Sequence, residues 1–321
     1  MGNAVPPGDR AGLRMKLRDL HVLMTVAQAR SMSKAAALLH TTQPAVSRSI
    51  AELEGALGVR LLERSVRGVE PTAYGRAVLE GGVAVFDELR RAVRNVEFLA
   101  DPAAGEVRIG CTPILAASFV SAVVDRLSRR YPRMVFHLVT AYAEPLRRAL
   151  LAREVDFLVV RRFAPAAEEQ LEFEPLFDDS YVVAAGAKSR WVRRRRIELA
   201  ELAGEAWTLP PPGSAIASIA MEAFRAAGLD YPRTTVVCDS PETRISLLGT
   251  GRFVTIFPAS ISRFPTLRPE IRILPVALPR ARVQNVIVTL KGRALSPVAK
   301  LFIERAREAA RADRAGRRRG G

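Results

Sequence analysis

The chain has 321 residues, long enough for two or three cored domains, and its 49% hydrophobic and 26% charged residues are an ordinary globular balance. Two cysteines cannot build a disulfide framework, no apolar leader follows Met1, and no run is long enough to span a bilayer, so a soluble cytoplasmic protein without a membrane partner is expected. The net charge of +16 suggests a nucleic-acid partner, but residues 1–97 hold 14 basic and 10 acidic side chains, a net +4 against +12 for the rest. With only 5 lysines among the 49 basic residues, the Arg193–Arg196 run and the Arg317–Arg319 tail read as solvated segments of an arginine-biased chain.

In chain order, Leu17, Leu20, Leu23 and Ala27 form a first helical stripe. Ala35, Ala36, Leu38 and Leu39 give a second helix a small apolar face, and His40-Thr41-Thr42 breaks it, with Thr42 placed as N-cap of a third. In that third helix Val46, Ile50, Leu53 and Leu57 recur at 4, 3 and 4 residues and share one buried stripe. Gln43, Pro44, Ser47, Arg48 and Ala51 fall on the other side. Gln can pair with adenine, Arg with guanine or phosphate, and Ser with either, while Ala leaves room for a thymine methyl. Taken alone, the same helix could be an amphipathic one whose polar face only meets water.

Beyond it, residues 64–72 read as two extended arms around a glycine turn, with Arg64 and Arg67 placed to reach phosphates. Together these elements make a winged helix-turn-helix over residues 1–72. The chain here resembles the LysR-type transcriptional regulators. The residues that carry the likeness are Ala35-Ala36, Leu39, Thr42-Gln43-Pro44-Ala45-Val46-Ser47-Arg48, Ile50, Leu53-Glu54, Leu57-Gly58, Leu61, Arg64, Arg67, Pro71-Thr72 and Gly75.

From Thr72 a long helix over 73–99 is expected, with Gly75, Leu79, Gly82, Phe86, Leu89, Val93 and Val96 spaced 4, 3, 4, 3, 4, 3. Periodicity leaves two readings open, a two-stranded coil with a second copy or a helix packed on its own domain, and two seam positions are glycine. The resemblance implies the former: a linker helix pairing two DNA-binding heads through Leu79, Phe86, Leu89, Val93 and Val96, within a tetramer, with promoter DNA and RNA polymerase as partners. Residues 100–105 break the helix as a hinge.

After Gly105 short apolar strands alternate with helices: strands near 107–111, 135–139 and 156–160, with helices at 118–130 and 145–153 between them. A second set follows, with strands at 181–185, 235–238 and 253–257 and helices at 216–227 and 242–249, then a strand at 282–290 and a helix at 296–311. This predicts a two-lobed α/β domain over 106–312, with lobe 1 at about 106–162 and 270–312, lobe 2 at about 163–269, and a basic tail at 313–321. It resembles the periplasmic-binding-protein-like effector domain of the same family. Ligands of open α/β sheets bind beyond the carboxyl ends of strands, where helices begin. That rule selects Thr112, Thr140, Tyr142, Arg161, Ser214 and Ser240, a set suited to a small polar or anionic metabolite, and the resemblance adds sugars and aromatic catabolites as its class. Each Thr or Ser could equally be a helix cap.

Two positions depart from the family pattern. Arg153 stands where a glycine is common, in an expected surface turn, and Gly251-Arg252-Phe253 replaces a small G-L-G triplet expected near the cleft wall. Enzyme readings find no footing: His21, His40 and His137 lack metal-site spacing, and no phosphate loop or nucleophile elbow is present, so no cofactor or metal is expected. Cys111 and Cys238 end strands that face the expected cleft, which leaves a thiol redox sensor as one alternative and an architectural DNA binder with a vestigial effector domain as another.

Overall fold

Each helix boundary in the first hundred residues has a local cause. α1 (Leu17–Ala29) stops where Arg30 turns left-handed, and α2 (Met32–Leu38) starts at Ser31, whose Oγ accepts from the Lys34 amide. α3 (Gln43–Leu57) starts at Thr42, whose Oγ1 accepts from Ala45 N, carries Pro44 in its first turn, and ends at left-handed Gly58. This computed structural model describes residues 14–65, 68–162, 168–263, 270–278 and 283–320. They fall into two compact units, residues 1–93 and 94–321.

The core of the first unit joins Leu20, Leu23, Val26, Ala35, Ala36, Val46, Ile50, Leu53 and Leu61. Burial of each Leu or Ile contributes about 1.5–3 kcal/mol. Leu17 and Leu38, expected inside, are exposed, and Val26 rather than Ala27 completes the α1 stripe. Leu38 closes α2 just before the chain reverses at left-handed His40, so its side chain points away from the bundle.

β1 (Leu62–Ser65) and β2 (Gly68–Pro71) pair antiparallel, Ser65 opposite Gly68. Glu54 Oε1 fixes the entry to this ribbon by accepting from Leu61 N at 2.7 Å and Leu62 N at 3.3 Å. The glycine does not make the turn but opens the second strand at φ 109°, where a Cβ would lie 2.5 Å from Arg30 O.

α4 (Ala73–Ala100) follows, with Thr72 Oγ1 accepting from Gly75 N at 3.0 Å and donating to Arg60 O at 2.8 Å. The expected seam divides. Gly75 is buried where a Cβ would meet Leu61 O at 2.0 Å, Gly82 lies against Leu20 and Met24, and Leu79 and Phe86 pack on the head's own core. Leu79 and Phe86 are thus corrected from outward-facing seam positions to inward ones, since a 4-3 spacing serves either kind of contact. Leu89, Val93 and Val96 stay 41%, 57% and 67% exposed.

In the second unit the strands in chain order are β3 (Ala104–Cys111), β4 (Arg133–Thr140), β5 (Phe157–Arg161), β6 (Leu171–Asp179), β7 (Tyr181–Gly186), β8 (Ala206–Leu209), β9 (Thr234–Val237), β10 (Phe253–Pro258), β11 (Ile271–Ile273) and β12 (Val283–Leu290). They form two five-stranded sheets, ordered β4-β3-β5-β12-β6 and β11-β7-β10-β8-β9. In the first, β3, β4 and β5 run parallel and β12 returns antiparallel to β5 and β6; in the second, β8, β9 and β10 are parallel and β7 runs antiparallel between β10 and β11.

The helices are α5 (Ser121–Arg130), entered through Pro113–Leu115 and a π turn at Ala116–Val120, then α6 (Ala143–Leu151), α7 (Ala215–Ala226), α8 (Pro241–Gly249), α9 (Ser260–Arg263) and α10 (Pro297–Gly320). One apolar core lies between the first sheet and α5 and α10, with Phe119, Phe157, Phe177 and Phe302 at its centre. Another packs Trp207, edge-on to Phe224, against Val183, Val254 and Ile256.

Three expected boundaries move. β6 belongs to the first sheet, so the second lobe begins near Tyr181, and β11 belongs to the second sheet, so the return to the first comes later than residue 270. α10 continues to Gly320, taking in most of the segment expected as a tail. β6, β8 and β11 escaped the periodicity reading because they are short or interrupted by charge and proline.

Candidate functional sites

On the first unit, α3 separates its residues cleanly. Val46, Ile50 and Leu53 are buried, while Gln43, Pro44, Ser47, Arg48 and Ala51 are exposed on the opposite side. The small side chains flanking Ser47 and Arg48 allow close approach to a surface, and the polar ones carry donors and an acceptor suited to base edges. Arg64 lies in β1 opposite Val69. Its side chain, and Arg67 entirely, fall outside the described residues.

On the second unit a cavity of about 400 Å³ opens between the two sheets. Its position follows from topology: it lies where β3 and β5 end, where α6, α7 and α8 begin, and where β6 crosses to β7. Thr112, Tyr142, Arg161 and Ser214 line it. Thr140 and Ser240 do not, which corrects those two expectations. Thr140 ends exposed edge strand β4 beside Cys111, and Ser240 caps α8 by accepting from Thr243 N while donating to Glu242. Ser214 does both things, lining the cavity and accepting from Ala217 N at 3.1 Å. Thr112 stands at a helix start without a side-chain capping bond, so its hydroxyl is not spent on the backbone.

The cavity's polar groups come from both lobes. Tyr142 Oη donates to Asp239 O at 2.6 Å, a bond that joins the loop after β4 to the loop after β9. Burial, and then the Asp239 charge, push its phenol up, so it stays a donor at neutral pH. Arg161 donates to the Tyr181 hydroxyl across the sheet crossing. Asp179, at that crossing, accepts from Ser180 N at 2.9 Å and Ser260 N at 3.2 Å. Asn285 of β12 lines the cavity where the register with β6 shifts, its partner being Phe177 while Val286 pairs with Pro175 and Leu176 is left over as a bulge in β6.

Sequence reasoning missed Arg244, Ser260 and Asn285. Arg244 offered one signal: it occupies the apolar stripe of α8 with Pro241, Ile245 and Leu248, where a charge is unexpected. Ser260 and Asn285 reach the cavity only through tertiary folding.

The thiols do not contribute. Cys111 and Cys238 lie outside the cavity lining, and burial pushes the Cys111 thiol up to about 12, which keeps it protonated and unreactive. Arg252 and Phe253 are not in the lining either, so the departure at that triplet leaves the cavity wall unaltered. The basic run is locally answered, with Arg194 on Glu201 and Arg196 on Glu198. Among the described residues there is no group of acidic, His or Cys side chains that could hold a metal, and no helix is long and apolar enough to cross a membrane.

Comparison with known proteins agrees with this architecture. Residues 17–76 match the family described as bacterial regulatory helix-turn-helix protein, lysR family, and residues 100–311 match the LysR substrate binding domain. The transcriptional regulator GbpR of Azospirillum brasilense is 27% identical over 297 residues, covering 92% of this chain and 87% of that protein. The dual regulator OxyR of Escherichia coli K12 is 28% identical over 275 residues, covering 84% and 87%. Among solved structures, full-length CbnR complexed with its target DNA superposes with a TM-score of 0.63 at 24% identity, over 92% of this chain and all of that one.

Proposed function

This chain belongs to the LysR family of bacterial transcriptional regulators, and from that premise we propose that it reads promoter DNA with Gln43, Pro44, Ser47 and Arg48 and senses a small polar or anionic metabolite in the cavity between its two lobes. The observation that carries the DNA reading is the division of α3, whose apolar stripe is consumed by the head's core while the opposite face is free and small enough to enter a major groove. Arg64 and Arg67 of the ribbon would hold flanking phosphates. Thr112, Tyr142, Arg161 and Ser214 would contact the effector.

Residues 73–99 would act as the pairing helix, with Leu89, Val93 and Val96 as the seam that meets a second copy, and dimers would associate into a tetramer. The exposed Val85 and Leu99 continue that seam at helical spacing. Promoter binding beside RNA polymerase implies a cytoplasmic location. No catalytic step is assigned.

The test is quantitative. Genomic fragments retained by the full-length protein supply an operator, and anisotropy titration at fixed salt compares variants on it. Arg48→Ala is expected to cost about 1–3 kcal/mol on the selected site and to narrow the gap between it and a scrambled one. Unchanged operator affinity would remove Arg48 as a reader.

A further inference from the structure

Arg244 is 1% exposed, lines the cavity, and among the described residues has no carboxylate within ion-pairing distance. Its two hydrogen bonds both leave from Nη1, to Thr255 Oγ1 at 3.4 Å and Ile256 O at 3.3 Å. Its guanidinium lies 4.6 Å from the centre of the Phe257 ring, and its Nε is buried without a hydrogen-bond partner. Two further polar groups on the same cavity are in the same state: Ser260 Oγ and Asn285 Nδ2 are both buried and unpartnered. A guanidinium cannot shed its proton in a protein, so leaving it desolvated without a counter-charge is costly. Three buried polar groups, all able to donate, around one cavity describe the outline of a missing acceptor that carries negative charge.

We propose that the effector is an organic carboxylate with an apolar body, and that Arg244 receives its charge with Ser260 and Asn285 beside it; this rests on the reading of the cavity as the effector site.

The other charged groups around the cavity are consistent with this. Asp179 accepts from backbone amides, and Arg161 gives one Nη1 donor to the Tyr181 hydroxyl and keeps its remaining donors for the effector contact proposed above. Arg162 lies 5.2 Å from the centre of the Phe173 ring. Asp239 and Glu242 act on Arg244 through space without pairing with it, so the guanidinium keeps its coordinating edge. Burial lowers the affinity of Arg244 for its proton, the mark of a cation held away from water. The amino termini of α6, α7 and α8 also open on the cavity, and their dipoles favour an anion there. Much of the remaining wall is apolar, with Ile114, Leu115, Pro210, Ile216 and Val283, a lining that matches an apolar body better than a fully hydrated sugar or inorganic ion. An apolar-bodied acid satisfies both halves of the site.

The experiment uses the full-length protein, with benzoate and phenylacetate as probes, benzamide as the neutral counterpart and inorganic phosphate as the small-anion control. Thermal shift and calorimetry are read on wild type, Arg244→Met, Arg244→Lys and Ile216→Trp, the last of which fills the cavity. Both acids are expected to bind wild type, benzamide and phosphate to bind at least tenfold more weakly, and Arg244→Met to lose at least tenfold in acid affinity. Arg244→Lys, which keeps the charge but not the fork, is expected to fall between.

Equal binding of benzamide and benzoate, phosphate matching the acids, undiminished acid binding by Arg244→Met, or no binding of either acid at millimolar concentration would each overturn the assignment. The benzamide comparison needs no variant, so it stands even if a substitution at 244 prevents folding. If ligands bind without regard to charge but are lost in Ile216→Trp, the carboxylate falls and the cavity reading survives; if binding persists in Ile216→Trp, the cavity reading itself falls.

Discussion

Arg153 shows how one backbone angle can outweigh a side chain's chemistry. It follows α6 at φ 57°, a left-handed conformation that costs a residue with a Cβ about 1–2 kcal/mol and glycine almost nothing. The position is the surface turn expected from the sequence, and the left-handed angle explains why glycine is common there. Arg153→Gly is expected to stabilise the second unit by about 0.5–1 kcal/mol after the added unfolded-state entropy, a rise of a few degrees in melting temperature by calorimetry. An unchanged or lower melting temperature would mean that the interactions of the Arg153 side chain outweigh the relief of its backbone. Arg244 and Arg153 thus make opposite points: one is costly in its side chain and useful, the other costly in its backbone.

Among the elements, α4 carries the clearest consequence. Its spacing is regular from Gly75 to Val96, yet the first half of the stripe is consumed by the head and the second half is left outside. Substitutions along one repeat should therefore have two different effects. Leu79→Glu places a charge against the core formed with Leu20 and Leu23, and should unfold the head, seen as loss of helical signal at lower temperature. Leu89→Glu leaves that core alone and should lower the oligomeric state measured by light scattering, with the head's melting unchanged. Wild-type oligomers from Leu89→Glu would place the pairing surface elsewhere. A similar division explains the ribbon: its position relative to α3 is fixed by Glu54 through two backbone amides, not by the glycine that the sequence draws attention to.

For the molecule as a regulator, the relevant quantity is the balance between lobe arrangements. A ligand shifts that balance only by the difference in its affinity for the two, and in the function proposed above promoter DNA would sense the shift through subunit packing. The Tyr142 to Asp239 hydrogen bond is a direct bond between the lobes' loops and so contributes to the balance before any ligand arrives. Tyr142→Phe removes about 0.5–1.5 kcal/mol from the arrangement in which this bond is made, which raises the separation of the two loops several-fold. Amide hydrogen exchange at 239–243 in the ligand-free protein should quicken by that factor. Exchange at the wild-type rate would show that this bond does not hold the lobes together.

The head was legible in the sequence because its information is local. The cap at Thr42, Pro44 at a helix start and a 4-3-4 apolar stripe each act within one or two turns, and a long motif fixes their order. The alternation of strands and helices was legible for the same reason, and with it the rule that sent Thr112, Tyr142, Arg161 and Ser214 to one cavity. What the sequence alone could not decide was anything that depends on which distant segments meet. The lobe boundary moved because β6 and β11 choose their sheets by pairing with β12 and β7. The inward half of α4 was settled by contact with Leu61 and Leu20, and Thr140 and Ser240 fell outside the cavity although they end the right loops. Arg244, Ser260 and Asn285 come from a helix face, the start of a short helix and a strand beside a register shift, and their unsatisfied state exists only once the tertiary fold has removed water from all three.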